Sequence, residues 1–411
     1  MAVEPQHPVT GRRPAARIPA AVVLGLGGML GLGPFLLAAP AAAASGAWML
    51  VGLALSAVAA LCAMYSTSER SSIREYMGRW PGRVAGTGRF VALGCVAVLL
   101  AVTFGQYVFP EQPRIAAFGV LAAAVVFNAS GLRWGSGFAW LISGGVLLVL
   151  VLVVAACLAV APVELPGAVP LRAGANDPRS LMTAAAILFL GFVGFERVTA
   201  PGDDEPQHGW RTRRRSIPVL VSIVAVLYAF LGIALLYQLG PARLALSPTP
   251  LRDAVIAADG AVMLPLVEFG AGVALASCLV LVLASMRRMM MQAAVDREVA
   301  TGLARLARAG TAWPVDLVVG GFVALLLPLL DTTQAVHLAA CCVLVHYAFA
   351  NAATRVQLVD TNRTWPMRIA CFGLGISVML AMSLPPMTLL TTLLVLVAGS
   401  CLGALVSHRW R

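Results

Sequence analysis

The chain has 411 residues, of which 60% are hydrophobic and 11% charged. Soluble domains carry roughly 25% charged residues, so this composition excludes a soluble protein, and at about 20 residues per span it suffices for about twelve membrane-spanning helices. All 29 basic residues are arginine, against 18 acidic residues, and the net charge is +11. The arginines stand in short segments between apolar blocks, which is typical of loops at the cytoplasmic face, and we therefore expect no nucleic-acid partner.

Apolar blocks follow one another along the whole chain, and each predicts one transmembrane helix. They cover residues 18–44, 47–65, 90–109, 115–132, 138–161, 181–200, 218–239, 263–284, 315–330, 335–353, 369–384 and 387–406. The sequence therefore predicts an all-α integral membrane protein with 12 transmembrane helices, preceded by a cytoplasmic N-terminal tail at residues 1–17. The stretch at 249–259 is compatible with a short amphipathic helix on the outer side or with a plain loop.

The distribution of arginine between alternate loops predicts the orientation. If the N-terminus is cytoplasmic, the outer segments hold few of the 29 basic residues, namely Arg114, Arg172, Arg179, Arg243 and Arg252. Cytoplasmic loops carry the excess of basic residues in membrane proteins. We therefore expect a multi-pass protein of the cytoplasmic (inner) membrane with both termini in the cytoplasm.

Two of the predicted spans contain residues that interrupt helices. Span 1 has five glycines and a proline within residues 25–35, and span 6 has Gly191 and Gly194, with Pro201 soon after. Backbone released from a helix inside the membrane is tolerated only where it lines a cavity or is packed by protein. Spans 1 and 6 are therefore predicted to be broken helices, although small packing glycines would give the same composition.

The two interrupted spans lie five spans apart, which predicts an inverted repeat because a unit with an odd number of spans inserts in the opposite orientation. The first repeat covers residues 18–163 with spans 1–5, and the second covers 164–358 with spans 6–10. Residues 359–411 add spans 11 and 12 and a short cytoplasmic C-terminus. Interrupted helices at matching positions of inverted repeats indicate the substrate site of a secondary transporter.

Four motifs, in order along nearly the whole chain, resemble those of the amino acid–polyamine–organocation (APC) superfamily of permeases. Gly31-Leu-Gly33-Pro-Phe35 is similar to the G-x-G-[IV]-F motif of span 1, with Pro34 at the β-branched position, and Gly194-Phe195-Glu196 is similar to G-F-E of span 6. Residues 203–218, followed by Tyr228 in the next helix, resemble the acidic-N-P-x-R-x-I-P loop of the family, although residues 208–212 are an addition to it. Arg288 and Asp296 resemble the signature that ends span 8, although its Gly and its terminal Pro are missing here. The compact loops resemble the branch that exports methionine and branched-chain amino acids.

This resemblance implies a LeuT-like fold and a substrate site at the two breaks. The implied substrate-binding residues are Gly28, Met29, Gly31, Leu32 and Gly33 of span 1 and Leu190, Phe192 and Val193 of span 6. The half-helix that starts at residues 31–33 can bind a carboxylate through its free N–H groups, and carbonyl oxygens at residues 28–29 and 190–193 can bind an ammonium group. Leu190 and Phe192 are candidate gate residues, and simple packing in an apolar core is the alternative.

The apolar surroundings of this site predict a neutral, apolar amino acid as the substrate. Thr103, Gln106 and Ser277 are polar groups within spans that could tune specificity, although such groups often bond locally. A carrier of polyamines or organic cations and an amino acid exporter remain alternatives, as does another twelve-span carrier of the major facilitator type, whose loop motif after span 2 is absent.

We consider four titratable residues of the predicted spans as candidates for ion coupling, namely Glu196, Glu268, His337 and His346. Glu196 is the candidate for proton coupling because an acid near the membrane midplane is costly unless it has a function, although a structural acid that caps the broken helix is the alternative. A lysine-based proton site in span 5 is excluded, since the chain has no lysine. Sodium coupling is disfavoured because residues 279–284 offer no hydroxyl ligand. Proton coupling or exchange of amino acids is therefore expected.

No catalytic or metal-binding motif is apparent, and we predict a transporter rather than an enzyme, with no cofactor and no metal. The eight cysteines fall within apolar blocks and are expected to be packing residues. An integral-membrane enzyme would show Asp-rich, His-rich or HExxH clusters at the membrane face. The expected partners are a small-molecule substrate, the lipid bilayer and the proton. A non-transporting sensor and assembly as a homodimer are left open.

Overall fold

The computed structural model describes residues 18–68, 73–131, 136–162, 177–194, 210–295, 313–359 and 364–409. Within these ranges the chain is helical apart from short turns, and no strand occurs in them. The α-helices in chain order are α1 Ile18–Met29, α2 Ala38–Ser45, α3 Met49–Ser68, α4 Ile73–Met77, α5 Arg79–Val108, α6 Pro113–Ala129, α7 Ser136–Ala159, α8 Pro178–Phe189, α9 Trp210–Leu246, α10 Pro250–Ala257, α11 Leu264–Val295, α12 Trp313–Leu329, α13 Thr332–Val359, α14 Thr364–Ser383 and α15 Pro386–Arg409.

Eight helical segments of the described chain are long and apolar enough to cross a membrane. The first of them, Gly25–Ser68, contains two of the predicted spans, and three shorter apolar helices are present as well, namely Pro113–Ala129, Pro178–Phe192 and Trp313–Leu329. The all-helical membrane architecture is therefore confirmed. The count of twelve spans and the inverted five-plus-five repeat stay predictions.

Several helices extend beyond the apolar blocks that predict them. Helix α5 begins at Arg79, eleven residues before the apolar block at residue 90, and α11 continues to Val295, past the end of its block at residue 284. Hydropathy marks only the part of a helix that lies in lipid, whereas backbone hydrogen bonding continues into water where polar side chains follow. Helix α9 bends at Gly240, whose φ is 68°, next to Pro241.

The short helix expected at 249–259 is present as α10, which begins at Pro250 directly after Thr249. Its apolar side chains Leu251, Ala254 and Val255 are buried, whereas Ile256 is half exposed. The amphipathic interpretation of this stretch is therefore confirmed, and the plain loop is wrong, because packing of its apolar face stabilises a helix too short to persist alone.

The helices pack in two groups. Helices α2 and α3 contact each other and both contact α8 and α9, and these four form the first helix group. Helices α5, α6, α11 and α12 contact one another and form the second helix group. Helix α13 packs against α3 of the first group and α5 of the second. Each group combines predicted spans that lie five apart, which is the pairing expected of two repeats.

An ion pair within the second helix group joins three helices. The Nη1 atom of Arg287 on α11 lies 3.1 Å from Oδ2 of Asp316 on α12 and donates to the carbonyl oxygen of Asn128 on α6 at 3.2 Å. The side-chain amide of Asn128 in turn donates through Nδ2 to the carbonyl oxygen of Val280 at 3.1 Å. These bonds satisfy charged and polar groups that would otherwise be costly to bury. They fix α6, α11 and α12 relative to one another.

Candidate functional site

The first predicted break is present between α1 and α2. Helix α1 ends at Met29, where the amide of Leu30 still donates to the carbonyl oxygen of Leu26 at 2.9 Å, and a turn at Leu30 and Gly31 follows. The chain then forms a π-helical turn, Gly33–Leu37, which begins without a side-chain cap and continues into α2. Pro34 at the start of this turn has no N–H to leave unpaired, which favours a helix start there.

The second predicted break follows α8. The helix tightens into a 3₁₀ turn at Leu190–Phe192 and then ends, because Val193 is extended with ψ of 132° and Gly194 has φ of 122°. Only glycine adopts such a positive φ without strain. Residues 195–209 lie outside the described residues, and so does the proton-coupling candidate Glu196.

The two breaks contact each other directly. A Cβ atom on Gly28 would lie 2.9 Å from the carbonyl oxygen of Gly194, and a Cβ atom on Gly191 would lie 3.4 Å from Cα of Gly33. A side chain at Gly28 would therefore push the two breaks apart. The structure thus brings the predicted site residues of spans 1 and 6 together, although they are far apart in sequence.

Tyr228 on α9 joins the two breaks. Its hydroxyl lies 2.6 Å from the carbonyl oxygen of Met29 and 3.0 Å from that of Gly191, so its single proton is shared between them. The residue is 7% exposed. The carbonyl oxygen of Met29, which the sequence suggests as a ligand for an ammonium group, therefore has a hydrogen-bond donor from another helix in this structure. The sequence singled out Tyr228 only as part of a motif, and did not predict this role.

Cys278 lies on α11, a helix of the second helix group, and packs against the first break. Its Sγ lies 3.5 Å from the carbonyl oxygen of Gly28, and a Cβ atom on Gly31 would lie 2.5 Å from its Cβ. Glycine at position 31 is therefore required by the close approach of α11. The break is packed between helices of both groups.

The remaining predicted site residues lie in the apolar core. Leu190 and Phe192, the candidate gate, are 2% and 0% exposed, and Leu32 and Val193 are also buried. The ring of Phe192 lies 5.8 Å from that of Tyr228. The cavity beside Gly33 and Tyr228 has a volume of about 30 Å³, which is room for one or two water molecules. The breaks are therefore closed on each other, and the substrate-binding and gating roles stay predictions.

A larger cavity opens on the side that the arginine distribution predicts to be outside. Its volume is about 620 Å³, within the range of small-molecule sites. We call it the outer vestibule. Its lining includes Leu36, Ala39, Pro40, Gln106, Asp177, Arg179, Ser180, Thr183, Ser247, Thr332, Val336, His337 and Ser383. Because Leu36 belongs to the π-helical turn, the vestibule lies against the segment that follows the first break.

The polar groups singled out in the sequence differ in how they are satisfied. Ser277 bonds locally, donating to the carbonyl oxygen of Ala274 at 3.0 Å. The buried atoms Oγ1 of Thr103 and Oε1 of Gln106 have no partner among the described residues. A buried polar atom without a partner is rare and points to a water or ligand. Thr103 and Gln106 therefore remain candidates for substrate contact, and Ser277 is satisfied by its own helix.

The other titratable candidates have ordinary surroundings. Glu268 forms an ion pair with Arg252 at 3.3 Å, and both side chains are about one-third exposed. Nδ1 of His346 lies 3.0 Å from the carbonyl oxygen of Ala85, and His337 lines the outer vestibule. Among the described residues, no cluster of His, Cys, Asp or Glu forms a metal site.

Tyr107 connects the first break to the outer helix α10, a link that sequence reasoning missed. Its hydroxyl donates to the carbonyl oxygen of Phe35 at 3.1 Å and accepts from the amide of Leu251 at 3.2 Å, and the rings of Phe35 and Tyr107 meet edge to face. The only indication of this link in the sequence is that Tyr107 lies near the end of the apolar block at residues 90–109. Hydrogen bonds through Tyr107 therefore connect the π-helical turn to α10.

Comparisons with known proteins agree with this architecture. The sequence model of a family described as amino acid permease matches residues 18–404. An uncharacterized transporter of Mycobacterium bovis and uncharacterized transporters of two Mycobacterium tuberculosis strains are each 34% identical over 389 residues, which cover 89% of this chain and 85% of the relative. These names point to a transporter rather than to an enzyme. The chain therefore belongs to the amino acid permease family of the amino acid–polyamine–organocation superfamily.

Proposed function

We propose that the protein is a secondary transporter that carries a neutral, apolar amino acid across the cytoplasmic membrane by alternating access. The observation that supports this most strongly is the contact between the two breaks, where Tyr228 bonds to the carbonyl oxygens of Met29 and Gly191. Interrupted helices that meet inside a membrane protein expose backbone groups able to bind both ends of a zwitterion.

The carboxylate of the substrate would bind at the start of the π-helical turn. No side chain caps this turn, and it continues without interruption into α2, so the positive end of the helix dipole lies at the break, where Gly33 can supply an N–H group and Pro34 cannot. Glycine at positions 31 and 33 would let the carboxylate approach the backbone once Cys278 and Tyr228, which lie against these glycines in the closed site, move aside. Burial of a carboxylate in the membrane requires donors of this kind.

The ammonium group of the substrate would bind the carbonyl oxygens that Tyr228 holds together. An ammonium group has three donors, whereas the hydroxyl has one proton for two acceptors at 2.6 and 3.0 Å. The substrate can therefore displace the hydroxyl while leaving no carbonyl unsatisfied. In this proposal Tyr228 stabilises the empty, closed site.

The surroundings of the breaks favour an apolar side chain on the substrate. Leu32, Phe192 and Val193 are buried there, and Cys278 covers the opposite side. A charged substrate side chain would lose its hydration without gaining an opposite charge from these residues. A neutral amino acid avoids this cost.

Alternating access would follow from movement of the first helix group against the second. The ion pair and amide bonds among α6, α11 and α12 hold the second group together, so it can serve as the scaffold. The vestibule, on the side predicted to be outside, lies against the π-helical turn that follows the first break. Coupling would use protons through Glu196 or exchange of one amino acid for another.

A counterflow assay tests the proposal without knowledge of the coupling ion. Purified protein in liposomes preloaded with one unlabelled compound is expected to accumulate the labelled form of the same neutral amino acid. The panel includes neutral and charged amino acids and polyamines. Accumulation of polyamines alone would contradict the predicted substrate class. Absence of accumulation across the panel, from protein that remains monodisperse and folded, would contradict a transport function.

A further inference from the structure

The π-helical turn Gly33–Leu37 comes directly before a proline in the first turn of α2. Pro40 is the third residue of Ala38–Ser45. A proline ring clashes with the carbonyl group four residues earlier in a helix, and here that group belongs to Leu36. A π-helical turn has the wider i→i+5 spacing, which gives the ring room. Pro40 therefore accounts for the position of the π-helical turn.

Pro40 also lacks the N–H group that residue 40 would otherwise donate. In the i→i+5 pattern the acceptor for residue 40 is the carbonyl oxygen of Phe35. The hydroxyl of Tyr107 on α5 donates to this same oxygen at 3.1 Å. Phe35 and Tyr107 are both 0% exposed, and a buried acceptor without a donor is costly. Tyr107 therefore supplies a hydrogen bond that the backbone at residue 40 cannot make.

The same hydroxyl serves the start of α10. Leu251 stands in the first turn of Pro250–Ala257, where amide groups have no partner within the helix, and the side chain of the N-cap residue Thr249 does not cap them. The amide of Leu251 donates to the Tyr107 hydroxyl at 3.2 Å. A hydroxyl that accepts one bond and donates another strengthens both. The Tyr107 oxygen thus fixes the π-helical turn relative to α10.

The π-helical turn decides which way Gly33 faces. Ala41 and Ala42 are 0% exposed, and packing of α2 against α3, α8 and α9 sets the orientation of this helix. One extra residue in a turn rotates the preceding backbone by roughly 100° relative to an α-helical continuation. In the rotated position Gly33 meets the second break, since a Cβ atom on Gly191 would lie 3.4 Å from Cα of Gly33. An α-helical turn would direct Gly33 elsewhere.

We propose that Pro40 and Tyr107 together position the half-helix, formed by the π-helical turn and α2, that binds the carboxylate of the substrate. Pro40 imposes the π-helical turn, and the Tyr107 hydroxyl replaces the hydrogen bond that Pro40 cannot donate. Both are positioning residues, because they act on the substrate through the orientation of Gly33. This role rests on the proposed transport function.

Removal of the hydroxyl tests the first half of the pair. Tyr107→Phe is expected to raise the KM for counterflow of the transported amino acid about tenfold with an unchanged maximal rate, because about 1.4 kcal/mol of binding is a factor of ten. A purely structural role would instead lower the maximal rate by reducing the amount of folded protein. Tyr237→Phe, a 45% exposed tyrosine of α9, is the matched control and should equal the wild type.

A double-mutant cycle tests the pair itself. Pro40→Ala restores the N–H group, so the turn can become α-helical, and we expect KM to rise about tenfold because Gly33 is redirected. The backbone then satisfies its own carbonyl groups, so addition of Tyr107→Phe should raise KM no further. Independent residues would give about a hundredfold rise. Pro113→Ala is the control, because α6 begins at Pro113 and no N–H is required there.

Melting temperatures in detergent give a measurement that does not depend on transport. Tyr107→Phe should lower the melting temperature of the wild type about twice as far as that of Pro40→Ala, since only the amide of Leu251 loses its partner in the second case. Alanine favours helices, so Pro40→Ala itself is expected to fold.

Three kinetic results would overturn the positioning pair while transport continues. They are equal KM values for Tyr107→Phe and Tyr237→Phe, a wild-type KM for Pro40→Ala, and a hundredfold rise for the double variant. Equal losses of melting temperature in the two backgrounds would also overturn the link between Pro40 and Tyr107. A wild type that transports no amino acid would contradict the proposed function, whereas the melting temperatures would still show whether the two residues are coupled.

Discussion

Tyr228 fills the space that the missing side chain of Gly33 leaves free. A Cβ atom at position 33 would lie 2.7 Å from Cε2 of the tyrosine ring and still closer to its hydroxyl, nearer than real Cβ contacts occur. Glycine at 33 and tyrosine at 228 are therefore matched to each other. Because the same hydroxyl bonds to both breaks, this pair sets how closely the two interrupted helices approach.

Substitution of Gly33 by alanine tests this match. The new methyl group must displace the ring of Tyr228, so we expect transport to fall about tenfold or more, which corresponds to a rise of at least about 1.4 kcal/mol in the barrier. Gly119→Ala is the matched control, because a Cβ atom at that position of α6 meets nothing within 4 Å. Initial rates of counterflow, normalised to inserted protein, give the comparison. Equal rates for the two variants would show that position 33 is outside the site.

Removal of the Tyr228 hydroxyl tests the bond between the breaks. Tyr228→Phe leaves the carbonyl oxygens of Met29 and Gly191 without their donor, and an unsatisfied buried acceptor costs about 1–3 kcal/mol. We expect a lower melting temperature in detergent and altered transport kinetics. Tyr237→Phe, on the same helix but 45% exposed, should change neither. A melting temperature for Tyr228→Phe equal to that of Tyr237→Phe would argue against the bond.

The ion pairs Arg287–Asp316 and Arg252–Glu268 should differ in their contribution to stability. Asp316→Asn leaves Arg287 without its charge partner, and breaking a buried pair costs about 3–5 kcal/mol. We expect about 3 kcal/mol, the lower end, because the Arg287 side chain is 25% exposed whereas that of Asp316 is 2% exposed. Glu268→Gln breaks the more exposed pair with Arg252 and should cost about 0–1 kcal/mol.

Thermal denaturation of the purified variants in one detergent ranks the two changes. Similar melting temperatures for Asp316→Asn and Glu268→Gln would contradict the role of the Arg287–Asp316 pair in holding α6, α11 and α12 together. Combination of Asp316→Asn with Arg287→Gln should recover part of the loss, since the double variant buries no unpaired charge.

Proton coupling is tested at Glu196. If this carboxyl group carries the proton, Glu196→Gln is expected to remove the dependence of transport on an imposed pH gradient while counterflow of substrate continues. Glu268→Gln, which changes an acid paired with Arg252, should keep the dependence. An unchanged pH profile in Glu196→Gln would assign coupling elsewhere or favour exchange.

The broken helices could be predicted because glycine and proline act locally. The glycines at residues 25–33 and Pro34 weaken the helix wherever the chain folds, and the interruption indeed falls at Leu30 and Gly31. The same holds for Gly191 and Gly194 in span 6. Apolar blocks likewise predicted membrane helices, since lipid requires every backbone group to bond within its own helix. The ends of helices such as α5 and α11 were less predictable, because polar helical turns leave no hydropathy signal.

The sequence by itself therefore determined the membrane class, the positions of the breaks and the family. Only the tertiary structure decided which groups meet. Tyr228 bonds to Met29 and Gly191, Arg287 pairs with Asp316, and Arg179 shares a cavity with Gln106, although the members of each set lie on different helices. Local composition sets the conformation of a segment, whereas these contacts depend on how whole helices pack, and that packing follows from the summed burial of many side chains. No single motif records it.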